Sequence, residues 1–408
     1  MILLYHKVNE LQQDYNNLAV TLENFKYQLE LIEKYFPIVP LSEHREGTIA
    51  ITFDDGFQDV LKNASPYLNS KGIPATIFIT TGQIGKQEEL WTTELLRLIF
   101  TGNHQKQKFY LELPSFCYEF AVGNLEEKYT LYLALRRLCM KSDDVMQQDI
   151  LGQLRDWSEQ KEAGREEYAF LTEEEIAELS GNKLITIGAH TVHHVSLGTF
   201  PKEYQEKEIY ESKKKLEQIT GHQIYYFSYP FGSKNDYNAD TIKVLKKEGF
   251  RQAYTAVSQP GRDKDYEIPR IAVPNIGKGE FDEWFYCTIL QKVPQDSLKS
   301  KKVTYIGKLE HDKALINGND GIAIFGAGGR GQKLLRDLRA YGKEEKVKYF
   351  IDNDESKQGS YLLHKKVIPI EEIDQDEIKI ILVDSVWEKE MIDQLVDQGI
   401  EGIHWILR

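Results

Sequence analysis

Residues 48–56 read TIAITFDDG, an apolar and β-branched run that ends in two adjacent carboxylates and a glycine. The run predicts a buried strand, and Gly56 favours a tight turn directly after it. Parallel α/β sheets bind their ligands outside the carboxyl ends of their strands, which is where Asp54 and Asp55 would lie. Because Asp-Asp-Gly is also ordinary turn chemistry, this stretch alone indicates either a site or merely a turn.

Composition limits the classes of function. The chain has 408 residues, which predicts two or three domains. With 64 acidic and 51 basic side chains its net charge is −13, which disfavours nucleic acid and anionic membranes as partners. Its cysteines, Cys117, Cys139 and Cys287, form no CxxC pair, so no thiolate metal site is predicted. No signal peptide or membrane span is evident, and a cytoplasmic location is expected. The number of subunits is left open.

Strand-like and helix-like segments alternate along the first 260 or so residues, which predicts parallel βα units in an open sheet or a barrel. The predicted strands are residues 2–5, 48–53, 75–80, 184–187, 224–228 and 253–257. The clearest helices are residues 22–35 and 203–219. From about residue 87 to 164 the pattern changes to a predicted helical insertion, in which residues 125–139 and 144–157 are amphipathic. The polar segment 293–319 is interpreted as a linker.

A second polar cluster follows another predicted strand. His190 and His194 are spaced i and i+4, and on a helical turn such side chains share a face and can bind one metal ion. A hydrogen-bonded histidine pair without metal is the alternative. His193 lies between them and is expected to be a neighbour of the site or a surface group.

These two motifs together resemble the polysaccharide deacetylases, the NodB-homology group or carbohydrate esterase family 4. The resemblance rests on Thr52-Phe53-Asp54-Asp55-Gly56 and His190-Thr191-x-x-His194. It implies a distorted (β/α) barrel of seven strands over residues 1–292. It also implies that Asp54 is the general base and that Asp55, His190 and His194 bind a divalent metal, zinc above nickel, cobalt or manganese.

A third motif, residues 227–232 with sequence FSYPFG, resembles the family segment that lines the substrate groove. The resemblance implies that a backbone N–H here contacts the oxyanion, and since Pro230 has none, Phe231 is the expected donor. Ser228 stands where many members have an arginine that pairs with the catalytic Asp. Arg270 is the candidate to supply that charge to Asp54.

The general acid of the family is a histidine near the carboxyl end of the domain, and no convincing candidate is found there. The opening segment, residues 3–8, instead resembles the first strand of a permuted branch, the poly-N-acetylglucosamine deacetylase-like members, which implies His6 as the acid. A half-buried strand histidine is the alternative. The implied reaction is attack of an activated water on an acetamide, with Asp54 taking a proton and His6 protonating the sugar amine.

Residues 320–408 predict a second domain. A strand is followed by G-x-G-x-x-G at Gly326, Gly328 and Gly331, then by a helix at 332–341 and a strand at 347–351 that ends in Asp352. This is the context of a Rossmann-like fingerprint for a nucleotide or nucleotide-sugar, with the acid facing a ribose. Glycines that only allow close packing, and NAD binding, are the alternatives.

The leading hypothesis is therefore a metal-dependent sugar N-deacetylase of cell-envelope polysaccharide biosynthesis, a hydrolase whose partner is an N-acetylated sugar or glycan. A catalytically weak carbohydrate- or nucleotide-sugar-binding module is the second hypothesis, motivated by Ser228. The third is a redox or epimerising enzyme that uses the Gly326 loop.

Overall fold

The structure of the protein is a computed structural model, and the chain divides into two units. Residues 1–33 and 37–277 form the first unit, and residues 34–36 and 278–408 form the second. The structure describes residues 1–11, 14, 16–86, 88–101, 106–113, 116–160, 164–289, 303–306, 316, 320–383, 391, 394–395, 397–400 and 403–406. Among these residues we find no helix that is both long and apolar enough to cross a membrane.

A parallel sheet of seven strands forms the centre of the first unit, with the order β10-β9-β8-β5-β4-β1-β11. Its strands are β1 (Ile2–Tyr5), β4 (Ala50–Phe53), β5 (Ala75–Ile79), β8 (Ile185–Ala189), β9 (Tyr226–Ser228), β10 (Gln252–Tyr254) and β11 (Ile271–Ala272). The short strands β2 (Lys7–Val8) and β3 (Ala19–Val20) pair separately. All residues of β1, β4 and β5 are buried, which explains their continuous apolar sequences.

The sheet is curled, because its two edges approach each other. The segment before β11 returns to β10, where Thr255 N donates to Ile268 O at 2.9 Å and Ile268 N donates to Ala253 O at 3.1 Å. The predicted α/β fold is confirmed for this unit in the form of a curled parallel half-barrel of seven strands.

Helices cover the outside of this sheet. They are α1 (Leu22–Tyr35), α2 (Ser65–Lys71), α6 (Glu173–Gly181), α7 (Lys202–Thr220) and α8 (Ala239–Lys247). Helix α1 has the predicted bounds: Thr21 Oγ1 accepts from Asn24 N at 3.2 Å, and Phe25, Leu29 and Ile32 are buried at helical spacing.

The sequence predicts a helical insertion at about residues 87–164, but the segment between β5 and α6 is not purely helical. It contains α3 (Trp91–Phe100), α4 (Leu125–Cys139) and α5 (Asp144–Ser158), and also a hairpin of β6 (Lys108–Leu113) and β7 (Phe116–Ala121). In β6, Phe109 and Leu111 are buried while Lys108, Tyr110 and Glu112 are exposed. This alternation with a period of two residues is the strand signal that the sequence interpretation missed.

The second unit contains another sheet of seven strands, in the order β12-β18-β17-β13-β14-β16-β15. Its elements are α9 (Lys278–Thr288), β12 (Val303–Ile306), β13 (Ile322–Phe325), α10 (Gly329–Ala340), β14 (Val347–Ile351), β15 (Tyr361–Leu362), β16 (Lys365–Ile368), β17 (Ile380–Val383) and β18 (Ile403–Ile406). The pairings are parallel except that of β15 with β16. Strand β12 lies within the predicted linker 293–319 and pairs with β18, so this part of the linker is a strand; most of the remainder lies outside the described residues.

Candidate active site

The polar motifs meet because the strands that carry them are paired in register. Tyr5 pairs with Phe53, and Asp54 N donates to Tyr5 O at 3.0 Å, so His6 and Asp54 leave the sheet side by side. On the other side of β4, His190 N donates to Ile79 O at 3.0 Å as β8 ends. The carboxyl ends of β1, β4, β8 and β9 therefore supply one site.

Asp55, His190 and His194 form a buried cluster whose ligand atoms all lie within 4.8 Å of one another. Asp55 Oδ1 lies 3.5 Å from His190 Nε2 and 3.3 Å from His194 Nε2. Although buried, this oxygen has no hydrogen-bond partner among the described residues. Two imidazole nitrogens and one carboxylate oxygen that converge without bonding to each other suit a divalent ion such as zinc, so the residues fit the expected metal.

A hydrogen bond orients one of these ligands. His190 Nδ1 lies 2.7 Å from the carbonyl oxygen of Ser228, which fixes the ring so that Nε2 faces the cluster. The His194 ring instead packs edge-on against the Phe231 ring, with centroids 4.8 Å apart. Burial disfavours a charged Asp55, but contacts with His190 and His194 hold the pKa of its carboxyl well below the usual value.

The two histidines do not lie on a helical turn, which was the geometric reason for pairing them in the sequence. The chain after His190 follows a turn in which Thr191 and His194 have φ of 65° and 53°. Thr191 Oγ1 accepts from His194 N at 3.0 Å and stabilises this turn. The side chains meet through left-handed backbone, which the spacing alone could not indicate.

Backbone strain is concentrated in this site. Asp55, Thr191, His194 and Phe231 have positive φ, a conformation that costs energy for residues other than glycine. Such strain persists where the surrounding structure holds it, and it commonly marks functional sites.

Asp54 is held by a buried arginine. Arg270 is 0% exposed, and its two terminal nitrogens donate to Asp54 Oδ1 at 2.7 Å and to Oδ2 at 2.6 Å. Ser228 Oγ donates to Asp54 Oδ2 at 3.0 Å and accepts from Arg270 at 2.6 Å. Burial opposes ionisation of Asp54, but the charge of Arg270 keeps the pKa of the carboxyl below its ordinary value. Arg270 thus lies where the sequence analysis placed it, with Ser228 as a bridge.

His6 and Phe231 complete the pocket, which has a volume of about 250 Å³. His6, Asp54, Asp55, His190, His194 and Phe231 are all among its lining residues. Burial lowers the pKa of His6. The Asp55 and Asp54 carboxylates oppose this effect, because they favour the charged imidazole.

The insertion also contributes to this pocket, which the sequence analysis missed. Leu90, Thr92 and Arg136 line it, and Trp91 Nε1 donates to His194 O at 3.4 Å. No motif marks these residues, because their approach depends on how the insertion packs.

His193 lies beside the site and does not join the cluster. Its Nδ1 is 2.6 Å from Glu208 Oε1, and this contact raises the pKa of the imidazole. Glu208 Oε2 also accepts from the backbone N–H groups of Val192 and His193. Glu208 therefore holds the loop that carries the histidines.

In the second unit the predicted glycine loop joins β13 to α10. Gly326 has φ of 101°, a conformation that favours glycine. The carboxylate of Asp352 is used within the protein: Oδ2 accepts from Ala327 N at 2.7 Å and Oδ1 from Asp354 N at 2.9 Å. In this arrangement Asp352 fastens the loop to the end of β14.

Gly331→Ala is expected to destabilise the second unit by about 1–3 kcal/mol, because overpacking forces the backbone to move. A Cβ at Gly331 would lie 1.8 Å from Gly326 O. Gly329→Ala is the matched control, since nothing lies within 4 Å of its Cβ position, and a change within about 0.5 kcal/mol is expected. Urea unfolding of both variants checks this; equal midpoints would rule out the close packing of α10 on the loop.

The first unit is a curled parallel α/β sheet that carries Asp54, Asp55, His190 and His194 just beyond the carboxyl ends of its strands. The family model for polysaccharide deacetylases matches residues 42–106 and 151–253. Over these residues, which lie in the first unit and make up less than half of the chain, the protein is similar to the polysaccharide deacetylases. A second family model, described as C2185-like, N-terminal, matches residues 318–406.

Individual proteins are similar to parts of this chain. A stretch of 107 residues is 33% identical to a putative polysaccharide deacetylase, YxkH, of Bacillus subtilis, and covers 25% of this chain and 36% of that protein. The deacetylase PplD of Streptococcus pyogenes, solved in complex with acetate, aligns with a TM-score of 0.43 at 16% identity over 69% of this chain and 96% of that one. IcaB from Ammonifex degensii aligns with a TM-score of 0.42 at 18% identity over 69% of this chain and 94% of that one.

Proposed function

We propose that the first unit is a metal-dependent hydrolase that removes N-acetyl groups from an N-acetylated amino sugar or glycan. One observation carries this proposal: an arginine-paired carboxylate, Asp54, lies beside the Asp55, His190 and His194 cluster in a single pocket. The match of residues 42–106 and 151–253 to the polysaccharide deacetylase model supports the same activity.

Asp55, His190 and His194 would hold the divalent ion. Two imidazoles and one carboxylate favour zinc and leave positions open to water and substrate. When bound, such an ion lowers the pKa of water and polarises a carbonyl oxygen.

The residues of the chain would move the protons. Asp54 accepts a proton from the attacking water, and Arg270 and Ser228 orient its carboxylate for this task. The Phe231 N–H would donate to the oxygen that becomes negative. His6 would give a proton to the departing amine, so that one amide and one water yield acetate and a free amino sugar.

Acetate release tests the activity. We expect acetate from N-acetylglucosamine, its oligomers or nucleotide-linked N-acetylated sugars, and a loss of that release when a chelator is added. Activity unaffected by the chelator would contradict metal dependence. No release from any of these sugars, in protein shown to contain metal, would favour the alternative of a carbohydrate-binding module.

His194→Ala is expected to lower the affinity for zinc by about 10-fold or more, because the metal site loses one of its three protein ligands. His222→Ala is the matched control, since this exposed histidine lies on the turn after α7. Elemental analysis after dialysis against zinc measures the effect without relying on activity. Equal zinc content in the two variants would contradict the assigned ligand set.

For the second unit we propose a Rossmann-like domain, on the grounds of its parallel sheet and the glycine loop before α10. A nucleotide or nucleotide-sugar would contact the loop near Gly328. Asp352 would then act by holding the loop, since its carboxylate is engaged by Ala327 and Asp354.

A further inference from the structure

Arg136 reaches the catalytic pocket from outside the part of the chain that carries the family motifs. It lies on α4 of the insertion and lines the pocket together with His194 and Phe231. The family model matches residues 42–106 and 151–253 and leaves out residues 107–150. Arg136 is therefore an addition to the site that the family pattern does not account for.

Two aromatic side chains fix the position of this arginine. Its guanidinium carbon lies 5.5 Å from the centre of the Phe231 ring, a cation–π distance. Burial raises the pKa of Tyr132, one turn earlier on α4, and the charge of Arg136 partly opposes this rise. Phe231 in turn packs against His194 and Trp91, at centroid distances of 4.8 and 5.9 Å. Arg136 and the proposed metal ligand His194 therefore both contact the Phe231 ring.

The charge of Arg136 has no carboxylate partner among the described residues. Two other arginines of the insertion with little exposure, Arg97 and Arg155, both form ion pairs with Glu94, at 2.9 and 2.7 Å. No ion pair of Arg136 occurs in the described part of the chain. In a chain of net charge −13, a half-buried arginine without such a pair is available to an anion from outside.

The two carboxylates of the pocket each face groups other than Arg136. Asp54 is neutralised by Arg270, and Asp55 faces two histidines. Arg136 therefore adds a positive charge to the pocket that pairs with neither Asp54 nor Asp55. A planar guanidinium binds carboxylate or phosphate through two parallel hydrogen bonds, so the chemistry of this position favours a compact oxyanion.

We propose that Arg136 is a specificity-determining residue that binds an anionic group, phosphate or carboxylate, carried by the substrate next to the acetamido sugar. This inference rests on the proposed function and names the class of its substrate: an N-acetylated amino sugar with a negative charge near the acetyl group. A neutral chitin-type oligomer would then be a poorer substrate than an anionic sugar of similar size.

Binding of deacetylated sugars to the unaltered protein tests the proposal without any turnover. The probes are glucosamine, glucosamine 1-phosphate, glucosamine 6-phosphate and muramic acid, which share an amine and differ in their anion. We expect at least one anionic sugar to bind about 10-fold or more tightly than glucosamine, a difference of about 1.4 kcal/mol, because hydrogen bonds between charged groups are stronger than neutral ones. Comparison of the two glucosamine phosphates with muramic acid shows whether the preferred anion is a phosphate or a carboxylate.

Arg136→Gln should remove this preference, and Arg137→Gln should keep it. Arg137 is the matched control because it is the next residue of α4, carries the same charge and is exposed. Arg136→Met retains the alkyl stem beside Phe231, so it tests the charge if the glutamine variant unfolds. On the N-acetylated forms of the anionic sugars, the loss should be larger in KM than in kcat, whereas Arg137→Gln should change neither.

The outcomes separate this proposal from the proposed function. A preference for anions that survives both Arg136 variants, or no preference in the unaltered protein, overturns the role of Arg136 even if acetate is released. An Arg136-dependent preference in a protein that releases no acetate supports the anion site and refutes the hydrolase.

Discussion

Asp54→Asn is expected to lower kcat for acetate release by about 10²- to 10⁴-fold, the range in which general acid–base catalysis contributes to enzyme rates. Asparagine preserves the shape of the side chain but does not accept a proton from water. Arg270 and Ser228 would still surround it, so the side chain should stay in place. The effect should appear in kcat, measured on folded protein below its unfolding temperature, with zinc content unchanged.

Asp59→Asn is the matched control for this variant. Asp59 is another buried aspartate of the first unit and pairs with buried Lys7 at 2.8 Å, but it does not line the catalytic pocket. Both substitutions leave a buried cation opposite a neutral amide, so both should cost stability. Only Asp54→Asn should lower the kcat for acetate release by the factor given above. A similar loss of kcat in both variants would mean that Asp54 acts through stability and not as the base.

The sequence predicted the centre of the site because its motifs follow buried strands. Residues 48–53 contain β4, and the register of β4 with β1 places His6 and Asp54 next to each other. The parallel arrangement itself follows from alternating helix and strand patterns. Which carboxylates and histidines share an edge was therefore predictable before any contact was known.

Two features were beyond the reach of the sequence pattern. The His190 to His194 spacing indicated a shared helical face, whereas left-handed residues in a turn bring the rings together. Such conformations at Thr191 and His194 depend on the tertiary contacts that hold them. Arg136 has no motif at all, since its place in the pocket depends on how α4 packs within the insertion.

Arg270→Met is expected to lower the free energy of unfolding of the first unit by about 3–5 kcal/mol, because removal of one partner leaves a buried charge uncompensated. Arg270 is fully buried and binds both oxygens of Asp54, and it also donates to Thr255 O at 2.9 Å. Methionine fills similar space without the charge. Urea unfolding at pH 7 measures the change.

A double-mutant cycle separates the Asp54–Arg270 pair from the other contacts of each side chain. Since either single change leaves a buried charge alone, the double variant Asp54→Asn/Arg270→Met should be less destabilised than the sum of the two single variants. Additive losses would mean that the two groups contribute independently and that Arg270 does not control the charge of Asp54.

The dependence of stability on pH shows whether Arg270 stabilises the charged form of Asp54. In the folded protein the pKa of Asp54 lies below its ordinary value, with burial opposing and Arg270 favouring the charged form. A group of this kind adds stability above the pKa of the unfolded state, and the added stability is lost as the pH falls through the folded value. Without Arg270, burial is opposed mainly by His190 and His6, so we expect the pKa of Asp54 to rise and Asp54 to destabilise the variant more as the pH rises. The stability difference between the unaltered protein and Arg270→Met should therefore be large at pH 7 and shrink in acid, whereas a difference that is constant with pH would assign the loss to packing.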